Sequence, residues 1–166
     1  MKPISLCLTH MGKSGLELVK SYPDVLPEQV LNEIVLKSMP MSAKDGDFSS
    51  STAEGVIFES YIFTVPGEQR NNIASLIAVF DNSKYNRQAI RNFFSFTVAE
   101  LQKNKLGDTN TYEKILPNMF DGLNKGHVKI KISSVVTLDF DFSYKEEKKK
   151  DRGEEFLDAM KDDMWR

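Results

Sequence analysis

The chain has 166 residues, with 22 Lys and Arg against 24 Asp and Glu, a net charge of −2 and 40% hydrophobic residues. That length suits one domain with a substantial core, and the near-balanced charge argues against general nucleic-acid binding, which needs a clustered cationic excess. The single cysteine, Cys7, excludes an internal disulfide and a cysteine-built zinc site, which fits a reducing cytosol.

The first segment, Ile4-Ser5-Leu6-Cys7-Leu8-Thr9, alternates apolar with small or polar residues, meets Met11-Gly12-Lys13-Ser14-Gly15 and resumes as Leu16-Glu17-Leu18-Val19-Lys20. This pattern predicts a β-hairpin closed by a glycine-bearing turn. Gly12-Lys13-Ser14 has the ending of a phosphate-binding loop, but that loop's first glycine would fall at Cys7, and a strand follows where a helix is needed. Pro27 suits the first turn of a helix, and Val30, Leu31, Ile34 and Val35 then form one apolar stripe until Met39-Pro40. Phe48-Ser49-Ser50-Ser51-Thr52-Ala53 reads as a short edge strand. Residues 56–65 and 73–80, separated by Pro66-Gly67 and a polar turn, form a second hairpin, the latter strand apolar enough to be buried on both faces.

Asp81-Asn82-Ser83 offers capping oxygens for a helix over 85–104, whose core face would be Ala89, Ile90, Phe93, Phe94, Thr97, Val98 and Leu101. Gly107 breaks it, and a shorter helix over 112–124 either begins anew or kinks at Pro117 and ends before Gly126. From Val128 the period becomes two: Val128, Ile130, Ile132, Val136, Leu138, Phe140, Phe142 and Tyr144 share one parity, as expected of a long strand or two strands with one wet face. The division expected is a domain over 1–144 and a charged tail over 145–166, mobile or partner-docking.

No residue set makes a convincing catalytic constellation. His10 and His127 lack neighbours at metal-ligand spacing and fit strand ends, Cys7 lacks an adjacent basic group, and Asp139 and Asp141 fit the solvent face of a strand. The expectation is therefore a non-enzyme with no cofactor and no metal. Phe96 lies off the Ile90-Phe93-Leu101 stripe and is a candidate interface residue. Phe156, Leu157, Met160 and Met164, with Trp165 adjacent, would make a narrow apolar stripe on a charged helix, the kind that docks into a groove. Phe156, Leu157, Met160 and Trp165 are accordingly candidate partner-binding residues.

The order strand, strand, helix, strand, strand, strand, helix, helix over ISLCLTHMGKSGLELVKS, PEQVLNEIVLKS, FSSSTAEGVIFESYIFTVP, NNIASLIAVFD and KYNRQAIRNFFSFTVAELQKN resembles the longin domain, within the longin/roadblock superfamily. The resemblance runs to about Lys125, three quarters of the chain, and consists of topology and hydrophobic pattern. It implies an α/β fold with a five-stranded antiparallel sheet sandwiched by helices, one on one face and two on the other, here followed by an extra C-terminal strand. It also implies a non-catalytic protein-binding scaffold of vesicle-mediated transport, cytoplasmic and peripheral to membranes through its partners: small GTPases, or tethering and adaptor subunits. The tail is too short for the coiled coil and membrane anchor of the fusion-protein longins. An open edge on the last strand would favour a homodimer. The alternative is a sensory or small-ligand-binding α/β domain with an aromatic pocket between Phe93, Phe94 and the sheet.

Overall fold

The computed structural model describes residues 2–67 and 71–142. Their elements run β1 (Ser5–Gly12), β2 (Gly15–Tyr22), α1 (Glu28–Lys37), β3 (Phe48–Ala53), β4 (Val56–Val65), β5 (Asn72–Phe80), α2 (Arg87–Lys103), α3 (Thr109–Lys125), β6 (His127–Lys131) and β7 (Thr137–Asp141). The first five strands form one sheet in the order β2-β1-β5-β4-β3, every neighbouring pair antiparallel. Central β5 is buried on both sides from Ala74 to Phe80, which explains its almost unbroken apolar sequence. Gly12 pairs with Gly15 across a turn at Lys13-Ser14, so this stretch is a hairpin tip.

Alternation along the strands divides the core in two. On one face Cys7, Phe58, Ile77 and Val79 pack with Val30 and Ile34 of α1. On the other, Leu6, Leu8, Phe63, Leu76 and Ala78 meet Ile90, Phe93, Phe94 and Leu101 of α2 and Tyr112, Leu116 and Met119 of α3. Helix α2 lies over β4, and α3 over β1 and β2.

The helix ends follow local chemistry. Helix α2 is capped by Asn86, whose side-chain oxygen accepts from the Ala89 N–H at 3.0 Å, in place of the expected Asp81-Asn82-Ser83. The Asn82 side chain is engaged upstream, where it accepts from the Lys84 N–H at 2.8 Å. Helix α3 starts earlier than expected and is assigned as one helix through Pro117. Proline has no N–H to give the carbonyl four residues back, Glu113, and Lys20 Nζ from β2 donates to that oxygen at 3.4 Å. Gly126, at φ 85°, ends α3 in the left-handed conformation that favours glycine.

The expected extra strand is a separate two-stranded antiparallel sheet, in register from His127 opposite Asp141 to Lys131 opposite Thr137. It does not extend the main sheet. Its parity is the one anticipated: Val128, Ile130, Leu138, Phe140 and Phe142 are buried, while Lys129, Lys131, Thr137 and Asp139 face water. Phe140 and Phe142 lie 5.4 and 5.2 Å from the Phe93 ring, and Gly122 of α3 lets Val128 approach so closely that an added Cβ would sit 2.8 Å from the Val128 Cα. Strand β7 pairs with β6 on one side and is one strand of a two-stranded ribbon, not the edge of the main sheet.

Candidate interaction surface

One charged residue interrupts the apolar run of β4. Glu59 sits between Phe58 and Ser60, and strand alternation turns it toward α2, where its side chain is only 1% exposed. A buried carboxylate is stable only when its oxygens are satisfied. Here Oε1 accepts from Ser50 Oγ at 2.6 Å and Tyr85 O–H at 2.8 Å, and pairs with Arg87 Nε at 2.7 Å. Oε2 faces Arg91, with Nε at 3.5 Å.

Each partner is placed by a different element. Ser50 is directly opposite Glu59 in the β3–β4 register. Tyr85 stacks on Phe80 at the end of β5, with centroids 4.0 Å apart and planes 3° from parallel. Burial and the neighbouring Glu59 raise the Tyr85 phenol above its ordinary pKa, so it stays a neutral donor. Arg87 and Arg91, one helical turn apart on α2, are 58% and 30% exposed. Arg91 also donates to Ser50 Oγ at 3.2 Å and lies 5.1 Å from the Phe48 ring centroid. Two guanidiniums around one carboxylate leave a surplus positive charge beside β3, an outer strand of the sheet.

On the opposite face the C-terminus of α1 docks through hydroxyls. Ser60 donates to the Ser38 carbonyl at 2.8 Å, Ser38 Oγ to the Val35 carbonyl at 2.8 Å, and Thr9 bonds Ser75, all four side chains being buried. This network holds the helix end and satisfies itself. Cys7 is fully buried, and burial pushes its thiol up to about 12, so it is packed and unreactive at neutral pH.

The sequence-derived candidates fall in different places. Phe96 is half-buried, with its ring 5.4 Å from that of Phe140, so the β6–β7 hairpin covers part of it. Phe156, Leu157, Met160, Met164 and Trp165 lie outside the described residues. Phe93 and Phe94 are fully buried in the core, and Phe140 and Phe142 pack around Phe93, where the ligand-binding alternative expected a pocket. His127 begins β6 and lies 3.0 Å from Asp139 and 3.6 Å from Asp141 on the wet side of the hairpin. His10 lies 3.3 Å from Glu17 across the β1–β2 pair. An open cleft of about 450 Å³ between the end of β4 and the α2–α3 connection is lined by Thr64, Gln102, Lys105 and Asp108 among others. Among the described residues no group of three His, Cys, Asp or Glu is placed to hold a metal ion, and no helix is long and apolar enough to cross a membrane.

Sequence reasoning passed over Glu59, Arg87 and Arg91. The available signal was a lone carboxylate inside a strand otherwise fit for burial, with two arginines spaced by four on the following helix. Compared with models of known families and with curated protein sequences, the chain matches none.

Proposed function

We propose that this chain is a non-catalytic interaction scaffold that resembles the longin domains of membrane-traffic machinery and engages small GTPases or tethering and adaptor subunits. The observation that carries this reading is the layering: an antiparallel sheet in the order β2-β1-β5-β4-β3, with α1 against one face and α2 and α3 against the other. That arrangement leaves β2 and β3 at the sheet edges, where main-chain groups can recruit other proteins. Its charged and titratable side chains support the same reading. Among the described residues, the buried Glu59 is a paired carboxylate and the buried Cys7 a packed thiol, neither poised for acid–base or nucleophilic work. The scaffold would act in the cytoplasm and reach membranes through its partners.

A native pull-down from source cytosol with the full chain as bait, with and without a non-hydrolysable GTP analogue, tests this. Recovery of a small GTPase or of tethering or adaptor subunits supports the proposal, and a bait that returns no protein above a bead control refutes it.

A further inference from the structure

The two edges of the main sheet differ in what they present. On β2 the edge carries Glu17 and Lys20, and the β1–β2 register slips between Leu8 and Thr9; charge and irregularity both discourage a further strand. On β3 the sequence FSSSTA has no charge, proline or bulge, and its register with β4 is unbroken from Phe48 to Ala53. The β3–β4 turn at Glu54-Gly55 has two residues with positive φ, 39° and 87°, which makes Ala53 and Val56 a hydrogen-bonded pair. By alternation the N–H and C=O groups of Phe48, Ser50 and Thr52 then point away from β4. Lys37 Nζ already occupies the Thr52 carbonyl at 2.9 Å.

The side chains of these same residues share the α2 face with Glu59, so the outward main chain of Ser50 runs beside Arg87 and Arg91. Arg87 is held through Nε by a buried carboxylate and is more than half exposed. Arg91 is 30% exposed and donates through Nη2 to Ser50 Oγ at 3.2 Å and to Glu59 Oε2 at 3.5 Å. We propose that this edge docks an extended acidic peptide strand of a partner protein, which adds to β3 as a sixth strand and sets a carboxylate against Arg87 and Arg91. The inference deepens the scaffold reading above and rests on it.

Charge selects this occupant over a second copy of the chain. Strand β3 carries no carboxylate to offer the arginines: in an antiparallel self-pairing the outward residues Phe48, Ser50 and Thr52 would meet only one another. Asp45 and Asp47 beside Phe48 place the partner's acidic residue toward Ser50 and Thr52, away from that end.

Selection of random peptides of about a dozen residues, long enough to span the edge as a strand, against the full chain tests the proposal. Two variants keep the fold: Arg87→Gln leaves Arg91 on Glu59, and Thr52→Pro removes one outward N–H without touching the Glu59 cluster. The expected result is enrichment of β-forming peptides with one or two Asp or Glu, bound about tenfold more weakly by Arg87→Gln and lost with Thr52→Pro. Enriched peptides indifferent to both variants would overturn this edge as the site while leaving an interaction scaffold. Failure to enrich acidic strand-forming peptides overturns the proposal outright. A concentration-dependent dimer of the unaltered chain that Thr52→Pro abolishes would assign the edge to a second copy.

Discussion

Replacing Phe140 by alanine tests how the β6–β7 hairpin is held. Phe140 is 6% exposed, and its ring meets Phe93 and Phe96 at 5.4 Å each and Phe142 at 4.8 Å. Truncating a core phenylalanine costs about 3–5 kcal/mol, made up of lost transfer energy and the cavity left behind. A two-stranded ribbon is at best marginally stable alone, so the hairpin depends on this apolar face against α2 and α3. The loss therefore falls first on local opening, not on the main sheet. At the lower figure, hydrogen-exchange protection of β6 and β7 amides should drop by about 100-fold, since each 1.4 kcal/mol is about a factor of ten. Amides of β1 and β5 should change by no more than about threefold. The wet-face control Lys129→Ala should leave both sets alone. An equal fall in both sheets, or no fall in β6 and β7, would refute the idea that this aromatic contact holds the hairpin separately.

Gly122→Ala would place a Cβ 2.7 Å from Val128 Cγ2 and 2.9 Å from the His127 carbonyl oxygen. Overpacking of about 1–3 kcal/mol should outweigh the gain of about 1 kcal/mol in helix propensity, so the urea midpoint should fall; a higher midpoint would mean that α3 and β6 shift apart at no cost. Glu59→Gln keeps the shape but removes the charge that Arg87 and Tyr85 share, and should cost about 1.5–3 kcal/mol, held to that range because both arginines keep access to water. A double-mutant cycle with Arg87→Gln measured by urea unfolding should show coupling, and strict additivity would contradict the pairing. Cys7 should resist a thiol reagent at pH 8 until denaturant is added, because burial holds its pKa near 12. The unfolded chain releases that proton near its ordinary value of 9.0, so this group's contribution to stability is complete below pH 9 and declines from there to about 12. Prompt native labelling, or a flat stability profile across that window, would show the thiol to be accessible.

Periodicity made the main elements legible. The unbroken apolar run of β5 marked it as central, and the serine-rich β3 marked itself as an edge, because burial on two faces and on one leaves different patterns. Helix α1 and the core face of α2 followed from spacing of three and four. Tertiary pairing was less legible. The alternation after Val128 reads the same whether the strands extend the main sheet or pair with each other, and only packing against Phe93 and Gly122 decides between them. Pro117 marked a possible break in α3 because the ammonium of Lys20, distant in sequence, leaves no trace beside it. The Glu59 cluster drew residues from β3, β4, α2 and the segment before it, so no local motif announced it.

The most direct test of the scaffold reading is reconstitution. The small GTPase or the tethering or adaptor subunit recovered with the full chain would be purified, recombined with it, and followed by size-exclusion chromatography with calorimetric titration. A scaffold gives a stoichiometric complex that survives the column and needs no turnover of either component. Separate elution of the purified proteins with no heat of binding would contradict it.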